Sequence, residues 1–228
     1  MKKIQGWHFC KDWKLRDGQK VEVGKTYSVK GELIMCQHGL HLSERIIDAL
    51  NYAPGNIICR VEGWGDMQKD SDKIICRYRT VLAAIDGEKL LHEAACYFAE
   101  TALTVAKIKD ERCWNAFKVK RLWLKGKVTD EELAAARDAA WAVAWAAASD
   151  AAWAAAWAAA RAAAWAAASD AAWAAAWAAA SDAASAAAWA AARAAAWAAA
   201  RDAASAKFNK YLTRKVKLAM AKQSTGGK

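Results

Sequence analysis

Arg137-Asp138-Ala139-Ala140-Trp141-Ala142-Val143-Ala144-Trp145-Ala146-Ala147-Ala148-Ser149-Asp150-Ala151-Ala152-Trp153 opens a run of nearly pure alanine that continues to Ser205. Every fourth position carries a larger residue. The tryptophans of this series are Trp141, Trp145, Trp153, Trp157, Trp165, Trp173, Trp177, Trp189 and Trp197, with Ser or Arg filling the other places. Asp138, Asp150, Asp170, Asp182 and Asp202 each follow a Ser or Arg directly, at spacings that alternate between 12 and 20 residues. A 32-residue super-repeat results, in which Arg137–Ala168 aligns onto Ser169–Ala200. Repeats of this length are the signature of stacked supersecondary units.

Alanine is the strongest helix former, and neither Gly nor Pro interrupts the chain between Lys127 and Thr225, so the segment reads as helix. Its start is marked by Thr129-Asp130-Glu131-Glu132, a capping box in which Thr129 and Glu132 satisfy each other's orphan amides. A period of four outruns the roughly 3.6 residues of a helical turn, so the Trp row spirals right-handedly by about 40° per step. A heptad seam drifts the other way, which excludes an ordinary coiled coil. The row is instead the ridge used in steep helix crossings, with Trp ridges entering Ala grooves. Two arrangements satisfy the pattern: several short crossing helices, or one long helix gripped from changing sides. Aromatic rings of roughly 150–250 Å² each predict burial within the chain or in a homo-oligomer. A standing partner-binding surface and a low-complexity expansion are the alternatives.

The segment before the array has a different composition. Residues 1–126 read as an α+β head, 127–206 as the all-α Ala/Trp array, and 207–228 as a basic amphipathic tail helix with a disordered end. Strand patterns come first in the head: Lys3–Cys10, a twisted hairpin or bulged strand over Lys20–Val29, a short apolar run Leu33–Cys36, then Asn56–Glu62 and Lys73–Tyr78 about a polar turn at Gly63–Ser71. A helix over Glu44–Tyr52 is expected to take Ser43 as its cap. From Thr80 the period turns helical, with one helix after Asp86-Gly87-Glu88 and another after Asp110. Strands first and helices after argue α+β.

The runs Gly6-Trp7-His8-Phe9, Leu33-Ile34-Met35-Cys36 leading to Gly39-Leu40-His41-Leu42-Ser43, and Asp48-Ala49-Leu50-Asn51-Tyr52-Ala53-Pro54-Gly55 resemble an uncharacterised family from phages and bacteria. Members of that family carry Ala-rich tails with Arg, Trp and Asp. The resemblance covers about residues 3–105. It implies a phage or prophage origin and a cytoplasmic location in the bacterial host, and it brings no activity.

Charge and cysteine usage bound the rest. The net charge of +10 is concentrated in the tail, where seven basic residues and no acid follow from Lys207 onward. Phe208, Leu212, Val216 and Ala219 or Met220 share one face there, while Lys207, Lys210, Arg214, Lys215 and Lys217 stand ready for nucleic acid or an anionic surface. The plainer reading is a terminal helix that docks its apolar stripe. The N-terminus shows no apolar leader, and charges interrupt the array too often for a membrane span. The six cysteines therefore read as reduced thiols, with Cys59 and Cys76 as small core residues.

Motifs with chemistry are few. Cys36, His38 and His41 have ligand chemistry for zinc but lack the paired Cys-x-x-Cys spacing, so no metal is assigned. The turn-and-strand order around His41 is similar to the core of ADP-ribosyltransferase-like domains. That similarity implies His41 and Ser43 at a nicotinamide pocket, Arg60 or Arg77 on phosphate, and Glu62 as the nearest catalytic acid. No Gly-rich phosphate loop, Ser/His/Asp set or His-Glu-x-x-His occurs, and no cofactor is assigned. The leading reading is a non-enzymatic interaction or structural protein, whose partner is itself or a host or phage protein. An ADP-ribosyltransferase-like enzyme and a small-molecule-binding head are the alternatives. A deep polar pocket around His41 separates both of them from the leading reading.

Overall fold

The computed structural model describes residues 2–105, 107–146 and 194–225, the side chains of 141–146 and 194–201 excepted. It is an α+β protein. Contacts divide the chain into Met1–Glu88 with Leu212–Lys228, and Lys89–Tyr211.

The first unit is built on an antiparallel sheet. Strand β1 (Ile4–Cys10) follows the expected start, and β2 is Thr26–Ser28, β3 Leu40–Leu42, β4 Ile57–Lys69 and β5 Ile74–Asp86. The order is β1-β4-β5-β2, and β3 pairs with β5 beyond the end of β2. Thus β5 takes β2 at Tyr78–Thr80 and β3 at Ile74–Cys76 along one edge. The core under the sheet includes Leu15, Val21, Tyr27, Leu42, Cys59, Val61, Ile74, Cys76 and Val81.

Several boundaries differ from the sequence reading. The polar stretch Gly63–Lys69 continues β4, and Thr80–Asp86 is strand rather than the start of the helical region. Alanine and leucine there favour helix locally. Pairing against Ile57–Glu62 across a long hairpin overrides that preference and buries Val81, Ala84 and Ile85. Lys20–Val29 yields only the short β2, because Gly24 turns the chain at φ +86°. Leu33–Cys36 is a tight turn closed by an Ile34–His38 bridge, with Cys36 in left-handed backbone at φ +66°.

Ser43 does not cap a helix. Its backbone exchanges two hydrogen bonds with Trp7 of β1, at 2.8 and 3.0 Å. Helix α1 (Ile46–Leu50) begins later, with Arg45 at the cap position and no side-chain cap bond. Two glycines allow this placement. A Cβ at Gly6 would sit 2.5 Å from Leu42 Cδ1, and one at Gly63 would sit 2.4 Å from Leu42 Cδ2. Their bare backbones let Leu42 lie flat on the sheet, and Leu40–Ser43 then ties β5 to β1.

The second unit is helical in its described part. Helix α2 is Glu88–Val105, α3 Glu111–Trp123 and α4 Asp130–Ala146. Asp110 caps α3 by accepting from the Arg112 amide. The capping box of α4 forms as expected, with the Thr129 amide donating to Glu132 and the Glu132 amide to Thr129 Oγ1. Ala116 of α3 packs on Leu133 and Ala140 of α4.

The last helix, α5, runs Ala194–Thr225. Up to Tyr211 it belongs to the second unit, where Phe208 meets Phe98 of α2 at 4.4 Å between ring centroids and Tyr211 stacks on Tyr97 at 3.9 Å. Phe208, Leu212 and Val216 are buried, as the apolar stripe predicts. Trp141, Trp145 and Trp197 lie on described helical backbone. Trp153, Trp157, Trp165, Trp173, Trp177 and Trp189, the 32-residue super-repeat and the final residues 226–228 lie outside the described residues. Among the described residues no helix is long and apolar enough to cross a membrane.

Candidate functional site

A cavity of about 480 Å³ opens in the first unit. Its walls come from the end of β1 (Trp7–Cys10), the Lys14–Asp17 turn, the segment Cys36–Ser43, the residues around α1 and one side chain of β5, Arg79. The volume lies within the range of roughly 300–1,000 Å³ usual for small-molecule sites. The same contacts that hold Leu40–Ser43 between β5 and β1 aim this segment at the cavity.

Arg79 is the residue around which the site turns. It lies opposite Tyr27 and Gly63 in the sheet and is 2% exposed. Its Nη1 donates to the His41 carbonyl, while its Nε, fully buried, has no hydrogen-bond partner. Burial lowers its pKa. The charge acts on its neighbours. The His8 imidazole is held well below its ordinary range, first by burial and then by Arg79, His41 and Arg16. The pKa of His41 is lowered by burial, then by Arg16 and Arg79. Both rings are thus neutral near pH 7; His8 offers one donor and one acceptor, whereas the single N–H of His41 is given to the Gly39 carbonyl and leaves an acceptor. Cys10 lies 3.9 Å, sulfur to sulfur, from Cys59. Its pKa falls because the Cys59 thiol donates to it and Arg79 is near, and the donor, Cys59, rises.

The residues singled out by sequence divide into two groups. His41 and Ser43 line the cavity together with Cys36 and His38. Glu62, Arg60 and Arg77 are outside its lining. Glu62 pairs with Lys3 at 2.8 Å. Arg60 donates to the Gly6 carbonyl and Gln5, and its guanidinium stands 4.8 Å from the centroid of the Trp7 ring. Arg77 pairs with Asp66 and donates to the carbonyls of Val29 and Gly31. Among the described residues, no group of three His, Cys, Asp or Glu is placed to hold a metal ion. His38 instead gives its Nε2–H to the Lys30 carbonyl at 2.6 Å.

Residues 4–93 match the family described as Domain of unknown function (DUF7666). No curated protein and no solved structure matches the chain. The match spans all five strands, α1 and the first turn of α2, so the cavity lies wholly inside this uncharacterised domain. All three sequence runs of the resemblance fall within it, and each contributes to the cavity wall or to the glycine seat beneath Leu42. Arg79 had no comparable signal in the sequence. It stands two residues from Arg77, and only the tertiary fold separates the buried guanidinium from the one paired with Asp66.

Proposed function

We propose that this chain is a non-enzymatic binding protein of phage or prophage origin, acting in the bacterial cytoplasm, whose DUF7666 head takes a small molecule in the cavity beside His41. The observation that carries the reading is the cavity itself: a half-open pocket with largely apolar walls, two neutral imidazoles and one buried guanidinium. A few fixed polar groups in an apolar pocket are what orient a ligand. The acid among the lining residues is Asp17, and it is engaged by the Gln19 amide and side chain. That favours binding over an ADP-ribosyltransferase-like reaction, for which a glutamate in the lining is wanted. The array from Arg137 to Ser205 packs on itself or on further copies of the chain, as its four-residue period favours. The basic residues of α5 keep a helix with a buried stripe soluble. Nucleic-acid affinity that falls steeply with salt would assign Lys207, Lys210, Arg214, Lys215 and Lys217 to phosphate instead.

Ligand-observed NMR on the full chain with a mixed fragment library tests the head. Hits that compete for one site and vanish in the cavity-filling variant Ala49→Trp support the proposal. A library without hits, or hits indifferent to Ala49→Trp in a folded variant, would remove it. Release of nicotinamide from NAD by the wild-type protein would replace it with the enzymatic reading.

A further inference from the structure

We infer that the cavity is an oxyanion site: its ligand is a small organic anion whose carboxylate or phosphate sits on Arg79, with its apolar body against Leu15, Leu40 and Leu42. This rests on the cavity being the ligand site and adds the chemical class.

The argument begins with charge. Arg79 is almost completely buried, yet none of the salt bridges among the described residues includes it. Three other arginines show the ordinary solution. Arg77 pairs with Asp66, Arg112 with Asp110 and Arg121 with Glu100. A buried cation without an anion is costly, and an orphan N–H adds to the cost. Arg79 has both features, and it faces a cavity.

The surroundings select the same class. Lys14 and Arg16 stand exposed at the rim and Lys73 also lines the cavity, so positive charge outweighs the one lining acid, Asp17. Such a rim draws in anions and repels cations. Inside, His8 is neutral and can donate its one N–H to an oxyanion without a second cation to desolvate, while the His41 ring N–H is turned to the Gly39 carbonyl. A guanidinium presents its donors in a planar fork suited to carboxylate or phosphate oxygens. The remaining walls are mostly aliphatic and aromatic, so the ligand carries an apolar part beside its charge.

Cys10 is the rival for the role of counter-charge, since its acidified thiol lies near Arg79. A thiolate there would neutralise the guanidinium from within and abolish any preference for anions.

Isothermal titration of the full chain with three probes decides between these outcomes: benzoate, its neutral isostere benzamide, and inorganic phosphate. The expected result is a preference for benzoate over benzamide of about tenfold or more, the scale of a charged hydrogen bond. Phosphate binding tighter than benzoate identifies a phosphoryl ligand, and the reverse order a carboxylate. In Arg79→Met the preference disappears, and the unliganded variant melts at or above the wild-type temperature because a buried unpaired charge is gone. Benzamide binding as well as benzoate overturns the oxyanion assignment and leaves the cavity reading intact. No binding by any probe overturns both. The comparison of probes in the wild-type protein needs no variant to fold.

Discussion

Truncating Phe208 to alanine removes a ring that is 1% exposed and lies 4.4 Å from Phe98, itself fully buried on α2. Tyr97 meets the same ring edge-on at 6.4 Å. The loss has two parts. Burial and cavity together cost about 3–5 kcal/mol for a Phe→Ala change in a core, and the aromatic pairing contributes about 0.5–1.5 kcal/mol within that loss. A domain stable by only about 5–15 kcal/mol loses a large share of its margin. Urea denaturation followed by far-ultraviolet circular dichroism measures the change. Leu218→Ala, on the same helix but 54% exposed, is the control and stays within about 0.5 kcal/mol of wild type. A double-mutant cycle of Phe98→Leu and Phe208→Leu isolates the ring–ring term at about 0.5–1.5 kcal/mol. If Phe208→Ala proved as mild as Leu218→Ala, the seating of α5 on α2 would be refuted, and its basic residues would need a role other than solubility.

Three further outcomes follow from single observations. His92 is buried between α2 and α3 and its pKa is pushed down to about 3, by burial first and Lys120 second. Its folded pKa lies below the unfolded 6.5, so the unfolded state binds the proton between those values and stability falls as pH drops below about 6.5, by up to about 1.4 kcal/mol per pH unit. His92→Leu flattens that limb in pH-dependent urea melts, and an unchanged slope would show that His92 is not the buried neutral base. Thr129→Ala removes the acceptor for the Glu132 amide and lowers stability by about 1 kcal/mol, with Thr129→Ser restoring it; equal stability of all three proteins would contradict the cap. On the proposed self-packing of the array, Trp157→Ala and Trp189→Ala, at matching places in the super-repeat, each cost roughly 3–5 kcal/mol. Solvent-exposed tryptophan fluorescence that does not change on dilution, with no loss in either variant, would make the array an exposed rod.

What could be read in advance depended on how local its cause is. The capping box at Thr129 and Glu132 is decided by four residues and formed as read, and the helix expected after Asp110 begins there, with Asp110 as its cap. Cys59 and Cys76 sit in β-branched runs, and both are buried free thiols. Ser43 carried an equally strong local cap signal, but Trp7, distant in sequence, claims its backbone. Thr80–Asp86 has helix-favouring residues and became strand through the partners Ile57–Glu62 on the preceding strand. The site divides the same way. His41 and Ser43 were visible because a turn, a Gly and polar residues lie between apolar ones. Arg79 was not, because its importance comes from burial and from the absence of an acid beside it, and both belong to the tertiary fold.

The proposed oxyanion site requires that Arg79, buried and incompletely bonded, receives an anion inside the cavity. The side-chain Nε–H of arginine is directly observable in nitrogen–proton correlation spectra, and the signal of Arg79 is assigned by its loss in Arg79→Lys. Titrating benzoate into the labelled full chain should move that one signal, saturably and with a larger shift than any other arginine, while Arg60 and Arg77, which lie outside the cavity lining, stay in place. A signal from Arg79 that remains fixed while benzoate binds elsewhere would contradict the account.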